Sequence, residues 1–208
     1  MKKWTMPWLL VALFFFGGSS LFAQLKDSVN FDNGNFKIVY SEVLEGPRSV
    51  RYKVECPNGE ASRKGMDFYE DNNIHTSDDE DYIANEWDKG HMAPAASFNC
   101  NTEILYSTFT YVNSSLQQQS LNRGVWKKLE NRERTLAQEY SNVEVFIRVK
   151  YDENPPRVPT NAAIPKGYYK EIRYNNPSQS GSFVECYYFK NEKPESKELE
   201  DYKCNCQK

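Results

Sequence analysis

Histidine, net positive charge and long apolar runs are all scarce in this sequence of 208 residues. The formal net charge is −3, which disfavours a protein whose main role is to coat nucleic acid, because such proteins are usually strongly basic. After the first 23 residues no segment is apolar enough to cross a membrane, which takes ~20 apolar residues. The sequence contains no internal repeat and no linker that would divide it into separate domains.

The five cysteines do not form a recognisable metal site. Cys204 and Cys206 stand one residue apart, but no second pair at suitable spacing and no nearby histidine accompany them, which disfavours zinc. A bond between these two cysteines would be strained, and the odd count leaves at least one thiol free or paired between chains. We predict a disulfide from Cys186 to Cys204 or Cys206 that ties down the C-terminal residues.

Residues 1–23 have the layout of a secretory signal peptide. Lys2 and Lys3 form a basic start, an apolar run follows at residues 8–16, and small neutral residues lead to Ala23. The apolar run is too short to span a bilayer comfortably, and no cysteine follows it as in a lipoprotein. We expect cleavage after Ala23, which leaves a net charge of about −5, and a secreted or periplasmic protein with no stable membrane association.

The remaining residues, 24–208, fit a single domain of the α+β class. Apolar residues recur at spacings of four and seven within residues 120–140 and predict a central helix. They are Leu121, Val125, Leu129 and Leu136. Segments rich in β-branched and aromatic residues predict an antiparallel sheet. They cover residues 36–40, 49–54, 104–112, 143–151, 168–174 and 182–189. The charged residues 191–208 are expected to be loosely attached.

Two segments carry the residues that phosphodiester hydrolysis requires. His91 ends a short Asp-Lys-Gly-His sequence, and histidine titrates near neutral pH, so it can take a proton from water. Asn122 and Glu130 lie eight residues apart on the predicted helix, just over two turns along it. Because Mg²⁺ keeps several waters, the Asn122 carbonyl could be its one protein ligand while Glu130 holds those waters. Each segment alone is more often an ordinary surface or core element, and only the combination indicates this chemistry.

Together these segments resemble the DNA/RNA non-specific endonuclease family, the ββα-metal (His-Me finger) nucleases. Residues 88–95 read Asp-Lys-Gly-His-Met-Ala-Pro-Ala, where the family has Asp-Arg-Gly-His followed by Leu or Met and Ala-Pro-Ala. The family's second block is similar to Asn113, Gln117 and then residues 122–130. Residues 63–71 look like the loop that supplies an arginine to the site in this family.

The resemblance covers roughly residues 36–175 and implies roles for four side chains. His91 would be the general base that deprotonates water, and Asn122 would be the direct Mg²⁺ ligand, with Mn²⁺ as an alternative. Glu130 would orient metal-bound water, and Arg63 would bind phosphate or stabilise the transition state. The expected reaction is hydrolysis of both DNA and RNA to products with a 5′-phosphate and a 3′-hydroxyl, in a site that hardly reads base edges.

Five further residues are implied in substrate binding or in support of the site. They are Asp88, Lys89, Asn113, Gln117 and Arg123. Lys89 stands where the family most often has arginine, which keeps the charge but loses the bidentate binding of phosphate. We therefore expect weaker binding or slower turnover, without loss of activity, and we expect Lys89→Arg to preserve or raise activity.

The sequence leaves rivals to this catalytic interpretation. Basic residues on the predicted helix could face phosphates, but they are also typical of an ordinary exposed helix. They are Arg123, Lys127, Lys128, Arg132 and Arg134. A catalytically weak or inactive nucleic-acid-binding relative would have the same fold, and a phosphodiesterase acting on another phosphate ester could use the same residues. Monomer and homodimer are both compatible with the sequence.

Overall fold

The computed structural model describes residues 24–176 and 181–206, so the predicted signal peptide, residues 1–23, lies outside the described residues. The strands are β1 Val29–Asp32, β2 Phe36–Ser41, β3 Gly46–Lys53, β4 Trp87–His91, β5 Ser114–Gln118, β6 Ser141–Lys150, β7 Gly167–Asn175 and β8 Ser182–Lys190. A six-stranded antiparallel sheet has the order β1-β2-β3-β6-β7-β8, and β4 pairs with β5 in a second sheet. The predicted α+β class with an antiparallel sheet is confirmed.

The main helical stretch of the protein covers residues 119–139. The helices are α1 Thr102–Tyr106, α2 Gln119–Leu121 and α3 Lys127–Glu139, with 3₁₀ turns at Asp79–Tyr82, Ala95–Ser97, Ser107–Phe109, Tyr111–Asn113 and Leu199–Tyr202. A π-helical turn, Asn122–Trp126, joins α2 to α3, so the central helix predicted at about 120–140 is present at residues 119–139. Within the described ranges, no helix is long and apolar enough to cross a bilayer.

The core lies between α3 and the inner face of the six-stranded sheet. Ile38, Val50 and Ile147 are cross-strand partners on β2, β3 and β6, and each is at most 2% exposed. The apolar stripe of the helix packs into the same cluster, where Leu129 and Leu136 are fully buried. Burying a side chain of this size stabilises the fold by about 1.5–3 kcal/mol, which explains why the stripe directs this face of the helix inward.

A buried ion pair also fastens α3 to the sheet. Lys170 on β7 places its Nζ 2.6 Å from Oε1 of Glu133 on α3, and both side chains are 0% exposed. The hydroxyl of Tyr52 on β3 donates to the other Glu133 oxygen at 2.7 Å, and the Lys170 Nζ lies 4.0 Å from the Trp126 ring centroid. Each buried charge has the other as its ion-pair partner, so removing either residue alone leaves a buried charge without its counter-charge.

Residues 104–112 do not form the predicted strand. They contribute to α1 and to two 3₁₀ turns instead. The Asn101 side chain accepts a hydrogen bond from the Ile104 amide and so caps α1, and Thr110 Oγ1 accepts one from the Val112 amide. The β-branched and aromatic composition of this segment reflects burial in compact turns, because local hydrogen bonds and tertiary packing override strand propensity here.

The C-terminal residues are anchored, so the expectation of a loosely attached segment at residues 191–208 was wrong for its described part. The Tyr202 ring stacks on Phe189 with the ring centroids 4.8 Å apart. A disulfide joins Cys186 on β8 to Cys206, which is one of the two predicted pairings. Aromatic stacking and a covalent link therefore hold a segment whose charged composition had suggested mobility.

A second disulfide, between Cys56 and Cys100, was not predicted. It joins the residues that follow β3 to the segment that precedes α1, although the two cysteines are 44 residues apart in sequence. Cys204 is exposed and is the cysteine that forms no disulfide, in line with the odd cysteine count. The pairing of Cys56 with Cys100 depends on the fold, since nothing in their spacing indicates it.

Candidate active site

The two-stranded sheet and the helix that follows it form a ββα unit. β4 ends at His91, and its antiparallel register pairs His91 with Ser114 and Asp88 with Gln117. β5 leads directly into α2 and then into the π-helical turn that begins at Asn122. This short path holds the end of β4 against the start of the helix, and both border a cleft of about 480 Å³.

The cleft collects seven of the nine site residues predicted from sequence. They are Arg63, Asp88, Lys89, His91, Asn122, Arg123 and Glu130. Asn113 and Gln117 do not line the cleft and are fully buried. Lys127 and Arg134 also border it, although neither was predicted as a site residue. A separate groove of about 340 Å³, on the outer face of the large sheet, contains none of these residues.

The His91 imidazole lies between two aromatic rings. Its centroid is 4.7 Å from that of Phe68 and 4.9 Å from that of Phe109. Burial, with a smaller contribution from the Arg63 charge, lowers the pKa of His91 to about 3. The ring is therefore neutral at physiological pH, which is the form that can accept a proton. An anionic phosphate in the cleft would oppose both effects and raise this pKa toward the range of an efficient base.

Asn113 acts on the backbone that follows His91, without contacting the imidazole by a hydrogen bond. Its Oδ1 accepts from the Ala93 amide at 2.8 Å, and its Nδ2 donates to the Ala93 and Thr108 carbonyls at 2.9 Å each. All of these groups are buried, so the bonds are shielded from water. The side chain thereby fixes the path of the chain as it leaves β4.

Gly90 is required for space beside Gln117. A Cβ built on Gly90 would lie 2.6 Å from the Gln117 Cβ, which is closer than real side chains approach. Gln117 therefore packs directly over the β4 backbone next to His91. Its amide nitrogen and oxygen are buried and have no hydrogen-bond partner among the described residues. Leaving a buried amide without a partner is costly, so the close packing of Gln117 on the β4 backbone is maintained against this cost.

Asp88 orients the side chain of Asn122. Asp88 Oδ2 accepts a hydrogen bond from Asn122 Nδ2 at 2.9 Å and from Arg123 Nε at 2.8 Å, and its Oδ1 accepts from Arg123 Nη2 at 2.6 Å. The bidentate arginine contact fixes the carboxylate, and the carboxylate then fixes the amide. This arrangement leaves Asn122 Oδ1 without a hydrogen bond to any described residue, and Asn122 is one of the residues that line the cleft.

Glu130 is partly buried in the cleft wall. Burial raises its pKa to about 7, opposed by the Lys170 charge and reinforced by the Glu133 charge. Arg134, one turn further along α3, lowers the pKa, as does the Trp126 indole to a smaller extent, although no full hydrogen bond joins Trp126 to the carboxylate. Since both the protonated and the ionised forms of Glu130 are accessible near neutral pH, nearby positive charge decides which one dominates.

Part of the basic stripe on the helix faces this cleft. Lys127 and Arg134 lie three residues before and four residues after Glu130, and helical geometry places such residues on one face. Arg134 Nη1 also donates to the Glu130 carbonyl oxygen at 3.1 Å. With Arg63 from the loop before β4, these side chains give the cleft a positive border. The i−3 and i+4 spacing around Glu130 is the sequence signal that could have identified them.

Two other basic residues of that stripe, Lys128 and Arg132, make contacts outside the cleft. Lys128 Nζ donates to the Lys197 carbonyl at 2.6 Å, and Arg132 Nη2 pairs with Glu185 on β8 at 2.7 Å. Arg123 borders the cleft, but its guanidinium is engaged by Asp88. The stripe therefore divides between the cleft and the attachment of α3 to the rest of the domain.

The oxygen donors in the cleft suit a hard cation that keeps most of its water. Among residues 24–176 and 181–206, no group of three or more histidines, cysteines, aspartates and glutamates could hold a metal ion. The disengaged Oδ1 of Asn122 and the Glu130 carboxylate of the same cleft are oxygen donors of the kind that a hard divalent cation prefers.

Known proteins are similar to this chain in both sequence and architecture. The chain is 29% identical over 173 residues to mitochondrial endonuclease G of Bos taurus, an alignment that covers 81% of this chain and 53% of that protein. It is 32% identical over 116 residues to mitochondrial nuclease EXOG of Danio rerio, covering 53% of this chain and 34% of that protein. The chain thus spans about half the length, or less, of these curated relatives.

A solved structure and a family model extend these matches. A chain in the crystal structure of the EndoG/EndoGI complex superposes with a TM-score of 0.77 at 23% identity, over 85% of this chain and 80% of that chain. The likeness shows a shared ββα-metal nuclease fold. The model of the family described as DNA/RNA non-specific endonuclease matches residues 22–208. A match over nearly the whole chain, on a fold that brings His91, Asn122 and Glu130 to one cleft, shows that this chain belongs to the DNA/RNA non-specific endonuclease family.

Proposed function

We propose that this protein hydrolyses phosphodiester bonds of DNA and RNA with one divalent cation. The observation that carries the proposal is the cleft in which a neutral His91, the disengaged Oδ1 of Asn122 and the Glu130 carboxylate occur together. Base, cation ligand and water-holding carboxylate are the components that this chemistry requires. Family membership supports the same activity.

His91 serves as the general base. Its Nε2 is buried without a hydrogen-bond partner among the described residues, so we assign proton acceptance to Nδ1, the other ring nitrogen. Phe68 and Phe109 hold the ring from two sides. The imidazole therefore loses little orientational freedom when it takes a proton from water. The negative substrate makes the imidazole more basic at the moment when it is needed.

The remaining residues act on the cation and on the phosphate. When bound, Mg²⁺, or Mn²⁺ in its place, neutralises charge on the phosphate and stabilises the leaving oxygen. Asn122 Oδ1 would hold that cation, and the ionised Glu130 would accept hydrogen bonds from the water around it. Arg63 and Arg134 would bind the non-bridging phosphate oxygens. Because these groups address the phosphate and leave base edges unread, both DNA and RNA are substrates.

The protein acts outside the cytoplasm in this proposal. Two disulfides within the described residues, Cys56–Cys100 and Cys186–Cys206, are typical of proteins that fold in an oxidising compartment. The sequence pattern of residues 1–23 supports the same destination, since it has the layout of a cleaved secretory signal. A secreted or periplasmic nuclease would meet nucleic acid released from other cells.

Plasmid DNA and single-stranded RNA should both be cut by the purified mature protein when Mg²⁺ is present. A chelator should abolish both activities, and added Mg²⁺ should restore them. Asn122→Ala should raise the Mg²⁺ concentration for half-maximal activity at least about 10-fold, since it removes the direct ligand. Nucleic-acid binding without cleavage would instead indicate an inactive relative. Cleavage of small phosphodiesters alone would indicate another substrate.

The acid side of the pH profile should report Glu130. Because the pKa of Glu130 is raised to about 7, the protonated form that cannot hold metal-bound water accumulates as pH falls below that value. A bound cation favours the ionised carboxylate, so the midpoint should move to lower pH as Mg²⁺ is increased. In the free enzyme, which kcat/KM reports, His91 has a pKa of about 3 and stays neutral throughout this range.

The measurement for this prediction is log kcat/KM against pH at two Mg²⁺ concentrations, for the wild type and for Glu130→Gln. The variant should be slow at every pH and should lack the acid limb. If the limb stays in place at both Mg²⁺ concentrations and persists in Glu130→Gln, another group controls it.

A further inference from the structure

The ammonium group of Lys89 is enclosed by aromatic rings. Its Nζ lies 5.2 Å from the Tyr111 ring centroid, 5.5 Å from that of Phe68 and 5.9 Å from that of Tyr82. Only 22% of the Lys89 side chain is exposed. A cation over the faces of three rings is attracted to each of them, and this attraction strengthens when water is excluded. The lysine that stands in the family's arginine position is thus held within the protein.

Two carboxylates complete the enclosure. Lys89 Nζ pairs with Asp79 Oδ1 and lies 3.6 Å from Asp67 Oδ1. The Tyr111 hydroxyl donates to the same Asp79 oxygen, so the ring below the ammonium also fixes its partner. The hydrogen bond from Lys89 holds the pKa of Asp79 below its ordinary value, which keeps the carboxylate ionised. One ammonium thus stands between two carboxylates, and an approaching phosphate would meet no net positive charge there.

Two of the groups around Lys89, Asp67 and Phe68, belong to the loop that borders the active site. Phe68 contacts the His91 ring at 4.7 Å between centroids and the Tyr111 ring at 5.4 Å. Arg63, which borders the cleft, precedes Phe68 by five residues in the same loop. Holding residues 67 and 68 against β4 therefore fixes one wall of the His91 pocket and one end of the segment that carries Arg63.

We propose that Lys89 is a positioning residue that clamps the Arg63–Phe68 loop and the Asp79 turn onto β4, and that it does not bind phosphate. The inference rests on the proposed function only for its effect on cleavage, because the clamp itself is a property of the folded protein. A clamping role for Lys89 replaces the expectation from sequence that its charge binds the substrate phosphate.

A double-mutant cycle tests the clamp without any activity. Lys89→Met, Asp79→Asn and the double variant are compared by reversible unfolding of the mature protein. Each single variant should raise the unfolding equilibrium constant. The increase in the double variant should be at least about 3-fold smaller than the product of the two single increases, because both substitutions remove the same contact. Effects that multiply independently would show that the two side chains are not coupled. This result stands even if the protein cuts no nucleic acid.

The salt dependence of DNA binding tests the second half of the proposal. In the His91→Ala background, in which cleavage is expected to be about 10²–10⁴-fold slower, Lys89→Met should leave the slope of log K against log salt unchanged. Arg63→Met should reduce that slope by about 0.9, the value for one lost phosphate contact. Lys64→Met is the matched control, since Lys64 is an exposed neighbour of Arg63 in the same loop. A slope reduced by about 0.9 in Lys89→Met would overturn the proposal.

Asp79→Asn gives opposite outcomes for a clamp and for a phosphate ligand. If Lys89 bound phosphate, removal of its competing carboxylate would tighten DNA binding. For a clamp, Asp79→Asn and Lys89→Met should each lower kcat several-fold without tightening binding, since the Phe68 wall of His91 loosens. Lys89→Arg should keep most of the kcat, because a guanidinium can form the same ion pairs and lie over the same rings. Tighter DNA binding by Asp79→Asn would contradict the assignment.

Discussion

Replacement of His91 by alanine should lower kcat/KM for Mg²⁺-dependent plasmid cleavage by about 10²–10⁴-fold, the contribution of a positioned general base. The imidazole is neutral at physiological pH and is held between Phe68 and Phe109, so it is ready to accept a proton. Alanine retains neither the basic nitrogen nor the ring. Initial rates of plasmid nicking by wild type and variant, at equal Mg²⁺, measure the effect.

This experiment needs two controls: proof that His91→Ala is folded, and a variant of a histidine outside the cleft. His75→Ala is the control, because His75 pairs with Glu45 at 3.2 Å, is about half exposed and does not line the cleft. It should keep wild-type activity. Circular dichroism and thermal unfolding of His91→Ala should show a native fold. Full activity in a clean preparation of folded His91→Ala would remove this residue from the mechanism.

Lys170→Met should destabilise the protein by about 3–5 kcal/mol, which is the cost of breaking a buried ion pair from one side. Lys170 and Glu133 are both 0% exposed, so the variant leaves the Glu133 carboxylate buried without its counter-charge. The hydrogen bond from Tyr52 satisfies only one of its two oxygens. Urea unfolding followed by tryptophan fluorescence measures the free energy of unfolding.

A double variant separates lost charge compensation from lost packing. Lys170→Met combined with Glu133→Leu should recover most of the stability, because an apolar replacement of both partners is often neutral. Lys128→Met is the exposed comparison: its Nζ lies 4.0 Å from Glu198, and its loss should cost less than about 1 kcal/mol. A cost below about 1 kcal/mol for Lys170→Met would show that the pair is not essential to the core.

The same pair reaches the active site through Glu130. The Lys170 charge lowers the pKa of Glu130, and the Glu133 charge raises it. Removing Lys170 alone should therefore shift the acid limb of the activity profile to higher pH, whereas removing both charges should shift it less. The stability of α3 and the ionisation of its cleft residue thus depend on one buried contact.

Periodic burial was what made the large sheet and the helix predictable. The strands over residues 36–40, 49–54 and 143–151 were predicted from their β-branched and aromatic residues, the first two also from alternation, and the helix was predicted from its apolar stripe. β5, Ser114–Gln118, was missed because its five residues are all buried although four of them are polar. Its burial comes from neighbours on all sides, so no alternation marks it.

Motif spacing identified the candidate catalytic residues but not their orientation. His91, Asn122, Glu130 and Arg63 were assigned from their resemblance to family blocks, and the fold places all four around one cleft. Sequence did not indicate that Asp88 leaves the Asn122 Oδ1 disengaged. Such contacts join residues from different elements, whose approach no local pattern records.

The sequence by itself determined the class of fold, the helix that carries Asn122 and Glu130, and the family, because each depends on local periodicity or on residues at fixed spacing. Only the tertiary structure decided which charges face the cleft and which are neutralised. Lys89 pairs with Asp79 and Lys170 with Glu133, and the latter two residues are 37 positions apart. A lysine is written the same way in the sequence whether it faces the cleft or a carboxylate. Its chemistry depends on the groups and the solvent around it, and these are fixed only when the chain has folded.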